Sequence, residues 1–265
     1  MPAIQIVRLR RQAAQLAEHF SQPEVFIRKL EDLFEFYGSR SHRSGQVGAP
    51  PLTLPAYNVP DPVIRRILLE LEEHAEAEPE KALALADALW EQATLEFRLL
   101  AANLLGKIPA AKHNRIIKRL KTWNEQNQEE ILLETLAKEG TARLRAEASE
   151  DFIHHVEIWL GKRKINPRKL GLRALLAQLT DTGFQNLPLV YRLLEISIQG
   201  APKELRPYLL DLIQPLAQRS PLETAYFLRQ SLATSSNPII PWLIRRSLKS
   251  FPDDVKENLR GAIKR

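Results

Sequence analysis

The stretch from Tyr57 to Pro109, YNVPDPVIRRILLELEEHAEAEPEKALALADALWEQATLEFRLLAANLLGKIP, constrains the fold most, because it reads as three consecutive helices with short breaks. Asp61-Pro62 is a start signal: the Asp side chain can accept a free first-turn amide, and Pro gives up no bonded donor there. Ile64, Ile67, Leu68 and Leu71 then fall on one apolar stripe. Glu78-Pro79 restarts the chain, with Leu83, Ala86, Leu89 and Trp90 on the next stripe. A third helix turns Leu95, Leu99, Ala102 and Leu105 inward and is stopped by Gly106 and Pro109. The rhythm is helix, turn, helix.

That rhythm extends in both directions. An initial helical pair is expected at 4–20 and 25–37, joined at Ser21-Gln22-Pro23-Glu24, where Ser and Glu have capping-box spacing. Residues 38–60 break the pattern with a Gly-, Ser- and Pro-rich loop, whose Arg40, His42 and Arg43 could reach a phosphate or simply be solvated. Further helices are expected at 111–123, 128–139, 141–148, 151–161, 167–179, 187–199, 203–218, 221–233, 238–250 and 253–263. Asn166-Pro167, Ser220-Pro221 and Asn237-Pro238 repeat the device of Asp61-Pro62, and Ser220 with Glu223 has capping-box spacing. β-Branched residues sit in helical stripes rather than alternating, so no strand is expected.

Some fourteen helices with short connections leave two architectures, a solenoid of helical pairs with a period of about 35 to 45 residues and a globular bundle. No single helix is apolar all round, as the centre of a bundle should be. The expectation is therefore all-α: a right-handed α-α superhelix of HEAT-like repeats in a single domain 1–265. It comprises an N-terminal pair at 1–37, the loop 38–60 and repeats over 61–265.

Composition bounds function only loosely. Hydrophobic residues at 44% and charged ones at 26% suit a globular chain, and the absence of Cys removes disulfides and thiolate chemistry. No apolar run approaches a membrane span, and the N-terminus lacks a signal-peptide core, so a cytoplasmic protein without membrane attachment is expected. With 38 Lys and Arg against 32 Asp and Glu, the net charge is +6. Such an excess favours a phosphate-rich partner only where it is gathered on one face.

The catalytic repertoire is thin. There is no Gly-rich phosphate loop, no nucleophile elbow and no metal-spaced His pair; His154 and His155 are adjacent, about 100° apart on a helix. No metal or cofactor is expected. Basic residues cluster in three places: Lys107, Lys112, Arg115, Lys118, Arg119 and Lys121; then Lys162, Arg163, Lys164, Arg168, Lys169 and Arg173; then Arg245, Arg246 and Lys249. Each set lies at a helix end or on one flank, where it could hold a backbone phosphate or be a solvated face. Trp123, Trp159 and Trp242 stand near polar or cationic residues, whereas Trp90 continues an apolar stripe. An aromatic ring in such a place can meet a base or pack in a core.

Tyr57-Asn58-Val59-Pro60-Asp61-Pro62-Val63-Ile64-Arg65-Arg66-Ile67, followed by Leu89-Trp90 and Glu96-Phe97-Arg98, resembles the opening of DNA alkylation repair glycosylases of the AlkD type. Trp159 with the segment from Pro167 to Leu175, and Trp242-Leu243-Ile244-Arg245, resemble later elements of that family. The resemblance spans roughly residues 57 to 250. It implies HEAT-like repeats, a cationic face that grips duplex DNA and, in active members, a carboxylate that assists release of an alkylated purine. The expected Trp-Asp-x-x-Asp-like segment reads here Lys121-Thr122-Trp123-Asn124-Glu125-Gln126-Asn127-Gln128-Glu129-Glu130, without Asp. Glu134 and Glu125 are the nearest carboxylates, which leaves the chemistry open.

The leading expectation is a monomer that binds duplex, damaged or branched DNA. Phosphate contacts would come from Arg163, Lys164, Arg168, Lys169, Arg173, Arg245 and Arg246, and aromatic contacts from Trp123, Trp159 and Trp242. The alternatives are a non-catalytic protein-binding scaffold and a true alkylpurine glycosylase with Glu134 or Glu125 as its acid.

Overall fold

In the computed structural model, which describes residues 5–38 and 53–263, every regular element is helical. One compact unit extends to Phe152 and a second begins at Ile153. The first holds α1 (Ile6–Ala17), α2 (Pro23–Tyr37), α3 (Asp61–Ala77), α4 (Pro79–Trp90), α5 (Leu95–Leu105), α6 (His113–Gln126), α7 (Glu130–Lys138) and the short α8 (Ala142–Glu147). The boundary falls within α9 (Ser149–Leu160). Beyond it come α10 (Ile165–Thr180), α11 (Leu187–Ile198), α12 (Arg206–Arg219), α13 (Pro221–Thr234), α14 (Ile239–Ser247) and α15 (Asp253–Ile263). Short 3₁₀ turns precede α6 and α12 and follow α14. No described helix is long and apolar enough to cross a membrane.

Within each unit a row of alternate helices packs side by side, alongside the contacts between sequence neighbours such as α4 and α5. In the first unit α1, α3, α5 and α7 contact one another in turn, and α2 lies against α4. In the second, α10, α12 and α14 form one row, while α13 contacts α15. Such alternation makes two rows of parallel neighbours from a chain of antiparallel pairs, which is an all-α helical repeat. The cores follow the stripes: Leu71, Leu85, Leu89, Leu100 and Leu104 are fully buried in the first unit, as are Leu175, Leu194, Leu209, Leu228 and Leu243 in the second. Burial of each contributes about 1.5–3 kcal/mol relative to exposure.

Polar contacts bind one helix pair to the next at a regular offset. Arg115 pairs with Glu80 and Lys107 with Glu72, both 35 residues back; Arg119 reaches Asp87, 32 residues back. In the second unit Arg192 pairs with Glu157 across 35 residues, and Arg219 donates to the carbonyls of Leu179 and Phe184 across 40 and 35. These separations match one helical pair plus its connections.

Helix starts differ in detail from the expected caps. Asp61 and Asn166 lie inside the first turns of α3 and α10, behind Pro60 and Lys164, neither of which makes a side-chain cap. Ser220 does precede α13, but its hydroxyl donates to the Glu223 carboxylate at 2.7 Å instead of accepting an amide. Asn237 accepts the Ile239 amide at 3.1 Å and also donates to the carbonyls of Ile198 and Ala201. One glycine is fixed by close approach: a Cβ on Gly106 would stand 1.8 Å from the Glu139 carbonyl oxygen, so the end of α5 and the end of α7 meet backbone to backbone.

Candidate nucleic-acid interface

Most cations of the first cluster are already matched with acids. Lys107 and Lys112 pair with Glu72 and Glu80 at 2.9 and 2.8 Å, Arg115 joins Lys112 on Glu80, and Arg119 forks onto both oxygens of Asp87. Pairs this exposed contribute little stability each, but they cancel the charge that a phosphate would need. Lys118 and Lys121 are exposed without an ion pair among the described residues.

The second unit uses its cations differently. On α10, the Lys169 ammonium and the Arg173 guanidinium lie 5.4 and 4.7 Å from the ring centre of Tyr208, which belongs to α12. Arg173 also donates to Asp211 at 2.6 Å. Further along the row, the Arg206 and Arg246 guanidiniums stand 5.4 and 6.0 Å from the ring of Trp242 on α14. Cation and aromatic ring therefore alternate across α10, α12 and α14, with Tyr208 buried beneath its cations, Trp242 half-buried and Arg246 exposed. Ring faces attract cations through their quadrupole, which holds the flexible side chains in place.

Flanking this row are cations without an ion pair among the described residues. Lys162, Arg163 and Lys164 are exposed in the connection between α9 and α10, and Arg245 is exposed on α14. The N-terminus of α10, the positive end of its dipole, adjoins the same connection.

Other expected contact residues sit elsewhere. Trp123 is buried and stacks on Trp90 with ring centres 4.5 Å apart. Trp159 is buried beside His155 and against the turn of α10 that holds Gly171, where an added Cβ would stand 3.3 Å from the Trp159 Cβ. Arg168 turns inward and donates to the Ser197 carbonyl at 2.7 Å, in the last turn of α11 where a cation suits the helix dipole. Burial pushes this guanidinium below the usual arginine range. Glu125 and Glu134 are exposed, near the end of α6 and on α7. Arg40, His42 and Arg43 lie outside the described residues. No group of acids and histidines that could hold a metal ion occurs among the described residues.

Two carboxylates are buried with a role that their place in the motifs does not show. Glu96 on α5 accepts the amides of Asn58 and Val59 at 2.7 and 3.4 Å. Asn58 has φ of 55°, a left-handed conformation that Asn tolerates better than most residues. Glu129 accepts the amides of Thr53 and Leu54 at 2.6 and 3.1 Å, and the Thr53 hydroxyl as well. Tyr57 packs with Phe34 and Phe97, while Arg98 donates to the carbonyls of Trp90 and Gln92 and lies over the Trp90 ring. The opening motif thus fastens an extended strap, residues 53–59, onto α5 and the N-terminal end of α7.

Comparison with curated proteins and with solved structures gives no match. Comparison with protein families matches residues 39–205 to the DNA alkylation repair enzyme family. The match takes in the strap motif, α10 with its cations and α11, and it stops just before α12. Because it covers more than half of the chain, and the helical repeat is present in both compact units, the protein belongs to the DNA alkylation repair enzyme family.

Proposed function

We propose that this protein acts in DNA alkylation repair by binding DNA through the cation and aromatic row of its second unit. Family membership supports the role in alkylation repair and suggests DNA as the partner. The observation that carries the finer reading is the placing of Lys169, Arg206 and Arg246 against the rings of Tyr208 and Trp242 across α10, α12 and α14, with Arg173 already matched to Asp211. Arg163, Lys164 and Arg245 beside that row supply exposed charge for backbone phosphates, next to the positive end of the α10 dipole. Such contacts position a duplex without reading its sequence. The protein would do this as a monomer, in one repeat domain.

Release of an alkylated purine would also need a carboxylate at the sugar. Glu134 and Glu125 are the two that the family resemblance carries over. Both are solvent-exposed in the free protein, where water screens a carboxylate strongly, so DNA would have to cover one of them before it could stabilise a developing oxocarbenium ion.

The deciding experiment is a mobility-shift titration of duplex, nicked and branched DNA across a salt series. Affinity should fall steeply with salt, because phosphate contacts release counterions. Absence of salt-sensitive binding to any of the three would sink this reading. Incubation with methylated DNA, read as release of 7-methylguanine or 3-methyladenine, tests the chemistry, with Glu134→Ala and Glu125→Ala identifying the acid.

A further inference from the structure

The second unit also has a surface of opposite character. Between α11 and α13 lies an open groove of about 520 Å³, lined by Pro188, Tyr191, Leu222, Tyr226 and Phe227, with Glu195 and Glu223 among its walls. Leu222 and Tyr226 are four residues apart on α13 and are 71% and 70% exposed, an apolar ridge left bare to solvent. Gln230 continues that ridge, so the groove follows α13 for about 12 Å, roughly two helical turns. Tyr191 and Phe227 form its floor, with ring centres 5.3 Å apart, and Tyr191 is fixed by a 2.8 Å hydrogen bond to Thr224.

Charge decides what fits. No Lys or Arg lines the groove, although the chain carries +6 overall. The arginines on its two helices are engaged away from it: Arg192 pairs with Glu157 of α9, and Arg229 donates to Asn258 of α15 at 3.0 Å. An acidic rim repels phosphates, so this groove is unsuited to the nucleic acid proposed for the α10, α12 and α14 row. Apolar floor and acidic rim together complement a short segment that carries both apolar and cationic side chains.

We infer that the groove between α11 and α13 is a docking site for a basic amphipathic helix of a partner protein. Apolar side chains of that helix cover Leu222, Tyr226 and Phe227, and its Lys or Arg side chains meet Glu195 and Glu223. Exposed aromatic residues at the centre of such a patch carry a large share of binding energy. The groove shares no residue with the α10, α12 and α14 row, so one molecule can hold DNA and the partner together.

The test uses the full chain and a fluorescein-labelled peptide of about fourteen residues, two turns longer than the groove needs. The peptide carries Leu at helical spacing and Lys elsewhere, and fluorescence anisotropy reports binding. Expected are saturable binding, at least a tenfold loss in Leu222→Ser/Tyr226→Ser and in Glu195→Lys, and no binding of a peptide with Glu in place of every Lys. The substituted side chains are exposed, so the variants should keep the wild-type melting curve and their DNA mobility shift, which separates this inference from the DNA-binding one. Equal binding by wild type and Leu222→Ser/Tyr226→Ser, equal binding of the Glu peptide, or no binding at all would overturn it. So would sedimentation showing that the groove instead mediates self-association lost in Leu222→Ser/Tyr226→Ser.

Discussion

Trp90 and Trp123 lie face to face, ring centres 4.5 Å apart and planes within 3° of parallel, so each covers the other. Both are buried, which makes this stack part of the contact between α4 and α6. Trp123→Ala should destabilise the protein by about 3–5 kcal/mol, and Trp123→Phe by less. The expected signature in urea unfolding is a lower midpoint, whereas DNA affinity of the folded fraction should be unchanged. A selective loss of affinity at unchanged stability would instead place Trp123 at the DNA.

Glu96 holds two amides of the strap through one oxygen, in a site that is 4% exposed. Its removal takes this acceptor from two part-buried amides. Glu96→Ala should cost about 2–3 kcal/mol, and Glu96→Gln, which keeps the accepting oxygen, about 1 kcal/mol. Limited proteolysis should show the Ala variant cut within residues 53–59 before wild type is.

For DNA binding the informative comparison is between an outward and an inward cation. Arg163→Ala/Lys164→Ala/Arg245→Ala removes three exposed charges and should lower the slope of log affinity against log salt by about 2 to 3. Arg168→Ala should leave that slope unchanged and lower stability, because its guanidinium anchors the last turn of α11. Salt titrations of both variants, paired with thermal melts, distinguish the two roles.

Acid should loosen both units through identifiable carboxylates. The Ala110 amide and the Arg143 guanidinium hold the Glu147 carboxyl below the usual carboxylate range, and Arg192 does the same for Glu157. A carboxyl lowered on folding gives stability that is present above its ordinary range and is lost as pH falls through the lowered folded value. Urea unfolding between neutral pH and pH about 2 should therefore show a declining acid limb. Glu147→Gln and Glu157→Gln should each flatten it while lowering stability at neutral pH; an unchanged limb in both would refute the assignment.

The helices were legible because their stripes and breaks are local. Expected segments at 221–233 and 253–263 lie within one residue of Pro221–Thr234 and Asp253–Ile263. The 3₁₀ turns Ala110–Lys112 and Lys203–Leu205 cannot be told from the helices they precede by pattern alone, since three-residue and four-residue spacings overlap over one turn. Caps are less legible for a similar reason: Asp-Pro and Asn-Pro mark a first turn but not which of its residues precedes the helix. Site residues were less legible. Whether Trp123 or Arg168 faces solvent depends on which neighbour covers it. Glu96 and Glu129 look like solvated helix acids until the strap folds over them. That Arg119 meets Asp87, and Lys107 meets Glu72, can be seen only once the offset of one helical pair is known.

That offset also governs how the chain can change length. Arg115 and Arg192 each find an acid 35 residues earlier. Deleting or duplicating a whole helical pair keeps cation opposite acid and row opposite row. An insertion of a few residues within a helix turns every later contact on that helix to a new face. Length variation in this architecture is thus quantised: it comes in complete helical pairs, or is confined to connections that carry no such clasp, unlike the strap 53–59 held by Glu96 and Glu129.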